Sequence, residues 1–249
     1  MKQTIPAALS ALVLALAAGS AHAQIANGNF SGLAGWSTAG DAASVATGGT
    51  HLVLTNAHTD GLDGLDDADG INRNLSGNDP LLTDVGAGSL DEFVGVPDGA
   101  FDPDPANFIE AEEGSAALQT FTAAGGSTLS FQWDFATTQP GGDPALSDAA
   151  FVVIDGQVIT LANTLNATNA LIGDDYAADT GWESWSTVLG AGSHTIAFGV
   201  VDVGSASNTS ALSVTGVSLS AVPESSTMAM FGAGLGLLAA LQRRRRSNV

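Results

Sequence analysis

The chain has 249 residues, with 26 Asp or Glu against 6 Lys or Arg. Lys2 and Arg243 to Arg246 sit at the two ends, so between positions 24 and 222 Arg73 is the single base among 25 acids. A surface that negative repels phosphate backbones and argues against nucleic acid as a partner, and the absence of cysteine excludes disulfides, thiolate metal sites and thiol nucleophiles.

The first element is a transport signal. Lys2, a largely apolar stretch from Ile5 to Ala18, and Ala21-His22-Ala23 before Gln24 follow the secretory pattern. Small side chains at Ala21 and Ala23 suit the shallow pockets of signal peptidase. Residues 1–23 therefore read as a signal peptide helix, with Gln24 opening the mature chain; an uncleaved anchor helix is the alternative.

Short strands are predicted over 25–30, 42–47, 51–56 and 116–122. The clearest pattern follows in Leu129-Ser130-Phe131-Gln132-Trp133-Asp134-Phe135, where large apolar and polar residues alternate as in a strand with one buried face. This places Trp133 in the core. Phe151-Val152-Val153-Ile154 and Gln157-Val158-Ile159-Thr160 flank Asp155-Gly156, a pair suited to the positive φ angles of a type I′ turn, so a hairpin is predicted. A strand over 182–188 comes next, then 193–202 with Ile196, Phe198 and Val200 on one face. Across 211–220, Leu212 and Val214 share one phase and Val217 and Leu219 the other. That shift predicts a bulge at Gly216. With few helical stretches between the two ends, 24–221 reads as an all-β domain, an antiparallel two-sheet β-sandwich of jelly-roll type.

Residues 57–114 interrupt this rhythm. They are rich in Asp and Gly and too long for an ordinary connection. One helical turn is predicted at Leu90-Asp91-Glu92-Phe93-Val94, and Phe101-Asp102-Pro103-Asp104-Pro105 must be extended. The segment reads as an acidic insertion lying over one end of the sandwich.

At the C-terminus, Met228 to Leu241 is uncharged and apolar apart from its glycines, and Arg243, Arg244, Arg245 and Arg246 follow Gln242. A transmembrane helix over 226–242 is predicted, its arginines held on the cytoplasmic side and the acidic domain outside. A simple tail anchor is the alternative. Val222-Pro223-Glu224, then this apolar helix, then the arginine cluster resembles the PEP-CTERM sorting signal, here spanning 222–249. The resemblance implies export from a diderm bacterium, transient inner-membrane insertion as a tethered precursor, and cleavage near Pro223-Glu224 by an exosortase. The product would reach the cell surface or the medium. Ser225 stands where that family usually has a second proline.

A second resemblance lies in the middle. Asn27-Gly28-Asn29-Phe30 with Gly35-Trp36 looks like the opening of carbohydrate-binding-module-like jelly rolls. Glu113-Gly114-Ser115-Ala116, the strand from Phe131, Ser147-Asp148-Ala149-Ala150-Phe151-Val152 and the run from Ala191 to Asp202 are similar, in order, to surface proteins related to choice-of-anchor domains. Such domains often carry Asp-Asn in the last strand. Thr215-Gly216 stands here, so no ligand role carries over.

Three chemistries deserve weighing. Asp60, Asp63, Asp66, Asp67 and Asp69 crowd a glycine-rich stretch, with Asp102, Asp104, Asp174, Asp175 and Asp179 further on. Hard oxygens on flexible turns are what Ca²⁺ takes, although the spacing fits neither an EF-hand nor a nonapeptide repeat, and a solvated acidic loop is the plainer reading. Glu110, Glu112 and Glu113 read equally well as solvent-facing strand residues. Trp36, Trp182 and Trp185, with Tyr176, are candidate stacking faces for sugar rings, against the usual role of aromatics as core filling. For catalysis, His51 and His194 sit in strand-like runs, His58 has no second histidine at ligand spacing, and no nucleophile-elbow sequence occurs. The expectation is a non-enzymatic, exported surface or exopolysaccharide-matrix protein, with extracellular polysaccharide as partner and exosortase and signal peptidase as processing enzymes. A calcium-dependent carbohydrate-binding module and an extracellular polysaccharide hydrolase are the alternatives.

Overall fold

The computed structural model describes residues 24–59, 71–84, 86–107, 109–171, 175–204, 208–220, 232–238 and 243–244. The expected signal peptide 1–23, Asp60 to Asp69, Asp174 and Val222-Pro223-Glu224 lie outside the described residues, as do Arg245 and Arg246. Of the expected membrane segment 226–242, only 232–238 is described, and it is helical, as are Arg243 and Arg244. Among the described residues no helix is long and apolar enough to cross a membrane.

In chain order the strands are β1 (Ser37–Ala39), β2 (Asp41–Val45), β3 (His51–Thr55) and β4 (Leu81–Leu82). After helix α1 (Leu90–Val94) come β5 (Ala111–Ala123), β6 (Thr128–Thr137), β7 (Ala149–Ile154) and β8 (Gln157–Asn163). The last are β9 (Asn169–Ala170), β10 (Ala178–Asp179), β11 (Glu183–Val188), β12 (Gly192–Val203) and β13 (Ser210–Ser220). They form two antiparallel sheets, one ordered β1-β5-β12-β7-β8 with β4 also on β5, the other β2-β3-β13-β6-β10-β9 with β11 also on β6. The protein is a β-sandwich.

Period-2 alternation builds the space between the sheets. Ala117 and Phe121 of β5, Val152 and Ile154 of β7, and Ile196, Phe198 and Val200 of β12 meet Leu52, Leu54, Phe131, Phe135 and Leu212 of the other sheet. Phe198 sits edge-on to Phe131 across the gap, with centroids 4.8 Å apart. Burying side chains of this size contributes roughly 1.5–3 kcal/mol each, so this layer carries the fold. The hairpin forms as predicted, with Asp155 at φ 51° and Gly156 at φ 78°. The bulge is also where the phase shift put it: the β13–β6 register slips between Thr215 and Ser218, and Gly216 has φ 65°.

Two expectations need correction. Residues 25–30 form a turn, not a strand. Asn27 and Phe30 have positive φ, and the Phe30 amide donates back to the Asn27 carbonyl at 3.0 Å. Asn27 favours this by accepting the Ser31 amide through Oδ1 at 3.2 Å. The second correction is partial: the described residues of 90–109 lie over the outer face of the first sheet, whereas 74–79 bond to Asp41, Ala57 and Thr59 at the strand ends, as expected of a cover over one end. Leu90, Val94 and Val96 pack on Phe151, Val153, Ala197 and Val201, with Phe101 and Ile109 beside them. Covering both faces of β7 explains its unbroken apolar run, which alternation alone does not. Ser89 starts α1 by accepting the Glu92 amide, and Gly95 ends it at φ 77°. The sheet resumes at Ala111, so Glu112 and Glu113 belong to β5.

Candidate functional site

Along β12 the inward phase runs Ile196, Phe198, Val200 and then Asp202, so the last position of an apolar face is an acid. The same happens on both neighbours. Glu113 is the β5 residue in register with Asp202, two places before buried Ser115, and Asp148 precedes β7 in phase with Ala150 and Val152. Three acids separated in the chain thus close one end of the first sheet. They are nearly sealed from water: Glu113 is 8% exposed, Asp148 3% and Asp202 1%.

The second sheet supplies neutral partners at the same end. Asn56, just after β3, donates from Nδ2 to Asp148 Oδ2 at 3.2 Å, and its Oδ1 accepts the Ser210 amide at 2.7 Å. Ser210 Oγ donates to the same Asp148 oxygen at 2.7 Å and lies 3.0 Å from Thr137 Oγ1. The Val203 amide donates to Asp148 Oδ1 at 3.3 Å. Asp148 is therefore the hub that ties β7 and β12 to β3 and β13. Asp41 does similar work at the start of β2. Fully buried, it accepts Thr55 Oγ1 at 2.5 Å and the Leu75 and Ser76 amides at 3.0 and 2.7 Å, holding the stretch after Ile71 against the sandwich.

Asp202 is different. No N–H or hydroxyl donates to its oxygens, and its side-chain partner is the Asp148 carboxyl beside it, a contact that holds a proton on Asp202. Burial, then the adjacent Asp148 charge, and further Glu113 and Glu112, push its carboxyl well above the ordinary range. Burial also pushes Asp148 up, opposed by the groups that donate to it. Glu113 is engaged elsewhere: His58 Nε2 is 2.6 Å from Glu113 Oε1, and His58 Nδ1 is 3.8 Å from Asp79 Oδ1. The reading of Glu113 as a solvent-facing residue is thus corrected, because β5 turns it inward. Asp148 also lines a cavity of about 190 Å³, together with Gln139, Asp143, Thr164 and Asn208. Among the described residues, no three His, Cys, Asp or Glu side chains come together in a way that would hold a metal ion.

The aromatic candidates separate. Trp36 is 7% exposed; its ring packs 5.0 Å from Phe30 and 5.8 Å from Phe198, and its Nε1 donates to the Ala26 carbonyl at 3.1 Å. It has no free face for a sugar, since the 25–30 turn folds it into the core. Trp185 is half-buried and stacks on Phe131 at 5.1 Å, while Trp182 is 49% exposed with an edge-on contact to His51. Trp133 is buried as its phase predicted. Compared with protein-family models and with curated proteins, the chain matches none.

The carboxylate layer was not recognised from the sequence as a site, although a signal existed. Ile196, Phe198, Val200, Asp202 is an alternation whose final inward place holds the wrong residue type for a core, and Ala150 and Val152 extend backward to Asp148 in the same way.

Proposed function

We propose that the protein is an exported, exosortase-processed, non-enzymatic component of the bacterial cell surface or exopolysaccharide matrix. The observation that carries this reading is the pairing of the secretory pattern ending at Ala21-His22-Ala23 with Val222-Pro223-Glu224, an apolar stretch and Arg243 to Arg246. Either end alone is compatible with other routes; together they describe a protein moved across the inner membrane, held there and then cut. The sandwich, of jelly-roll type in this reading, is the cargo. Its buried carboxylates support a scaffold role, because Asp148 and Asp202 are 3% and 1% exposed, out of reach of a polysaccharide chain.

Mass spectrometry of both termini of the surface form tests the proposal. The expected mature chain begins at Gln24 and lacks Arg243 to Arg246. Recovery of Arg246 in the exported protein, or unchanged delivery after removal of 222–249, overturns it.

A further inference from the structure

We propose that Trp182 and His51 mark a binding face for an amino-sugar polymer, of the glucosamine class, on the outer side of the second sheet. Strand phase defines that face. Leu52 and Leu54 of β3, Phe131, Trp133 and Phe135 of β6, and Leu212 and Val214 of β13 fill the core. The residues that alternate with them, His51, Gln132, Asp134, Ser213 and Thr215, therefore point the other way. Trp182 immediately precedes β11, on the far side of β6. Among the described residues it is the only exposed aromatic side chain.

The distance between the two rings is informative. From β11 to β3 the sheet crosses β6 and β13, which makes three strand spacings, or roughly 14 Å. Yet the ring centroids of Trp182 and His51 are only 5.9 Å apart. Both side chains must lean over the sheet toward each other, above the polar residues of β6 and β13. Their planes stand at 80°, an edge contact that leaves indole surface open, and Trp182 is 49% exposed. A pyranose ring offers a C–H surface that stacks on such an indole, and its hydroxyls need polar groups beside the stack. Gln132 and Ser213 supply them.

Charge chooses among sugars. Asp134 stands on this face, and Asp179 shares it, paired with Ala136 two places along β6. Burial raises the Asp134 carboxyl, the Thr180 hydroxyl at 3.0 Å opposes this, and the Asp179 charge raises it further. Arg73, the one base between 24 and 222, is buried. A ligand ammonium beside the two carboxylates relieves their repulsion, whereas a uronate polymer would add to it. The indole face attracts the same ammonium. A peptide suits the face less well: β13 and β6 are paired along both edges, so an extended chain finds no free backbone to pair with. Choosing a polymer that occurs outside cells rests on the export proposed above; the geometry of the face does not.

Isothermal titration calorimetry of the purified protein tests the assignment, with hexamers of glucosamine, N-acetylglucosamine and glucose as probes at ~0.15 M salt. Saturable binding of the glucosamine hexamer is expected, at least about fivefold tighter than either neutral hexamer. Trp182→Ala, at a half-exposed position, should weaken it at least about tenfold with Tm unchanged. Asp134→Asn should erase the preference for glucosamine; should that variant fail to fold, the three hexamers still decide the role of charge. Absence of binding, equal or tighter binding of a neutral hexamer, or equal affinity for a lysine hexapeptide overturns the proposal. So does binding that survives Trp182→Ala, because attraction by bulk negative charge alone would survive it. The titration is independent of how the termini were processed, so its failure is distinguishable from a failure of the export reading, which the terminal masses test.

Discussion

Gly199 is the most sharply defined point in the first sheet. It lies on β12 between Phe151 of β7 and Ala116 of β5. A Cβ added there would stand 2.2 Å from Phe151 Cζ, 2.7 Å from Phe151 Cε1 and 2.8 Å from the Ser115 carbonyl oxygen. Carbon atoms prefer about 3.5–4.0 Å, so the ring must retreat by more than ~1 Å. Its freedom to do so is small: Phe151 is 1% exposed and packs 4.4 Å from Phe101, which comes from the insertion. Overpacking of this kind costs about 1–3 kcal/mol, and the carbonyl contact places Gly199→Ala near the upper figure. Alanine recovers roughly 0.4–1 kcal/mol by restricting the unfolded chain, leaving a net loss of about 2 kcal/mol. That corresponds to a fall of about 4–8 °C in Tm for a domain of this size. Urea unfolding followed by tryptophan fluorescence reads it directly. Phe151→Leu, which clears the ring from the clash, should restore at least half the loss when combined with Gly199→Ala. The reasoning is refuted when Gly199→Ala unfolds within ~0.5 kcal/mol of the parent, or when the two substitutions simply add.

Two further predictions rest on other parts of the molecule. Asp41→Ala removes the acceptor for Thr55 Oγ1 and for the Leu75 and Ser76 amides. The expected loss is about 3–5 kcal/mol, and faster proteolytic cutting in the 71–80 stretch should accompany it; equal cutting rates would show that Asp41 does not hold that stretch. His194 Nδ1 lies 2.7 Å from Asp155 Oδ2 at the hairpin turn, and this hydrogen bond, partly opposed by burial, raises the histidine's pKa. Burial works to raise Asp155, yet the His194 and Thr195 hydrogen bonds outweigh it and leave its pKa lowered. A raised base stabilises the fold fully below the unfolded histidine value of about 6.5, and that contribution fades as pH climbs through the folded pKa. The lowered acid contributes above its unfolded value and loses that contribution as pH falls through its folded pKa. The pair therefore supports the hairpin on the acid side of neutrality, and His194→Gln should flatten the decline in stability just above pH ~6.5. An NMR titration placing His194 at or below the ordinary histidine value would contradict this.

Local patterns announced much of the architecture. Alternation at 129–135 and 193–202, Asp155-Gly156 at the hairpin, the phase shift at Gly216 and the single helical turn at 90–94 all became the elements expected of them. Each depends on residues within a few places of one another, where side-chain periodicity and φ preference act directly. Asn27-Gly28-Asn29-Phe30 was misjudged because its turn is stabilised partly from a distance. Val217 donates to the Gly28 carbonyl at 2.9 Å, and no side chain larger than hydrogen fits at Gly28 beneath the Val217 oxygen.

The sequence by itself determined the strand phases, the acidity of residues 24–222 and the chemical character of the two ends, since these are sums or repeats over neighbouring residues. Only the tertiary structure decided that β5, β12 and β7 lie side by side, and therefore that Glu113, Asp148 and Asp202 share one buried layer. It likewise decided that Trp36 is core and that part of the insertion roofs the first sheet. Antiparallel pairing joins segments dozens of residues apart, and which strand meets which is set by the packing of the whole sandwich. No short stretch of chain contains that information.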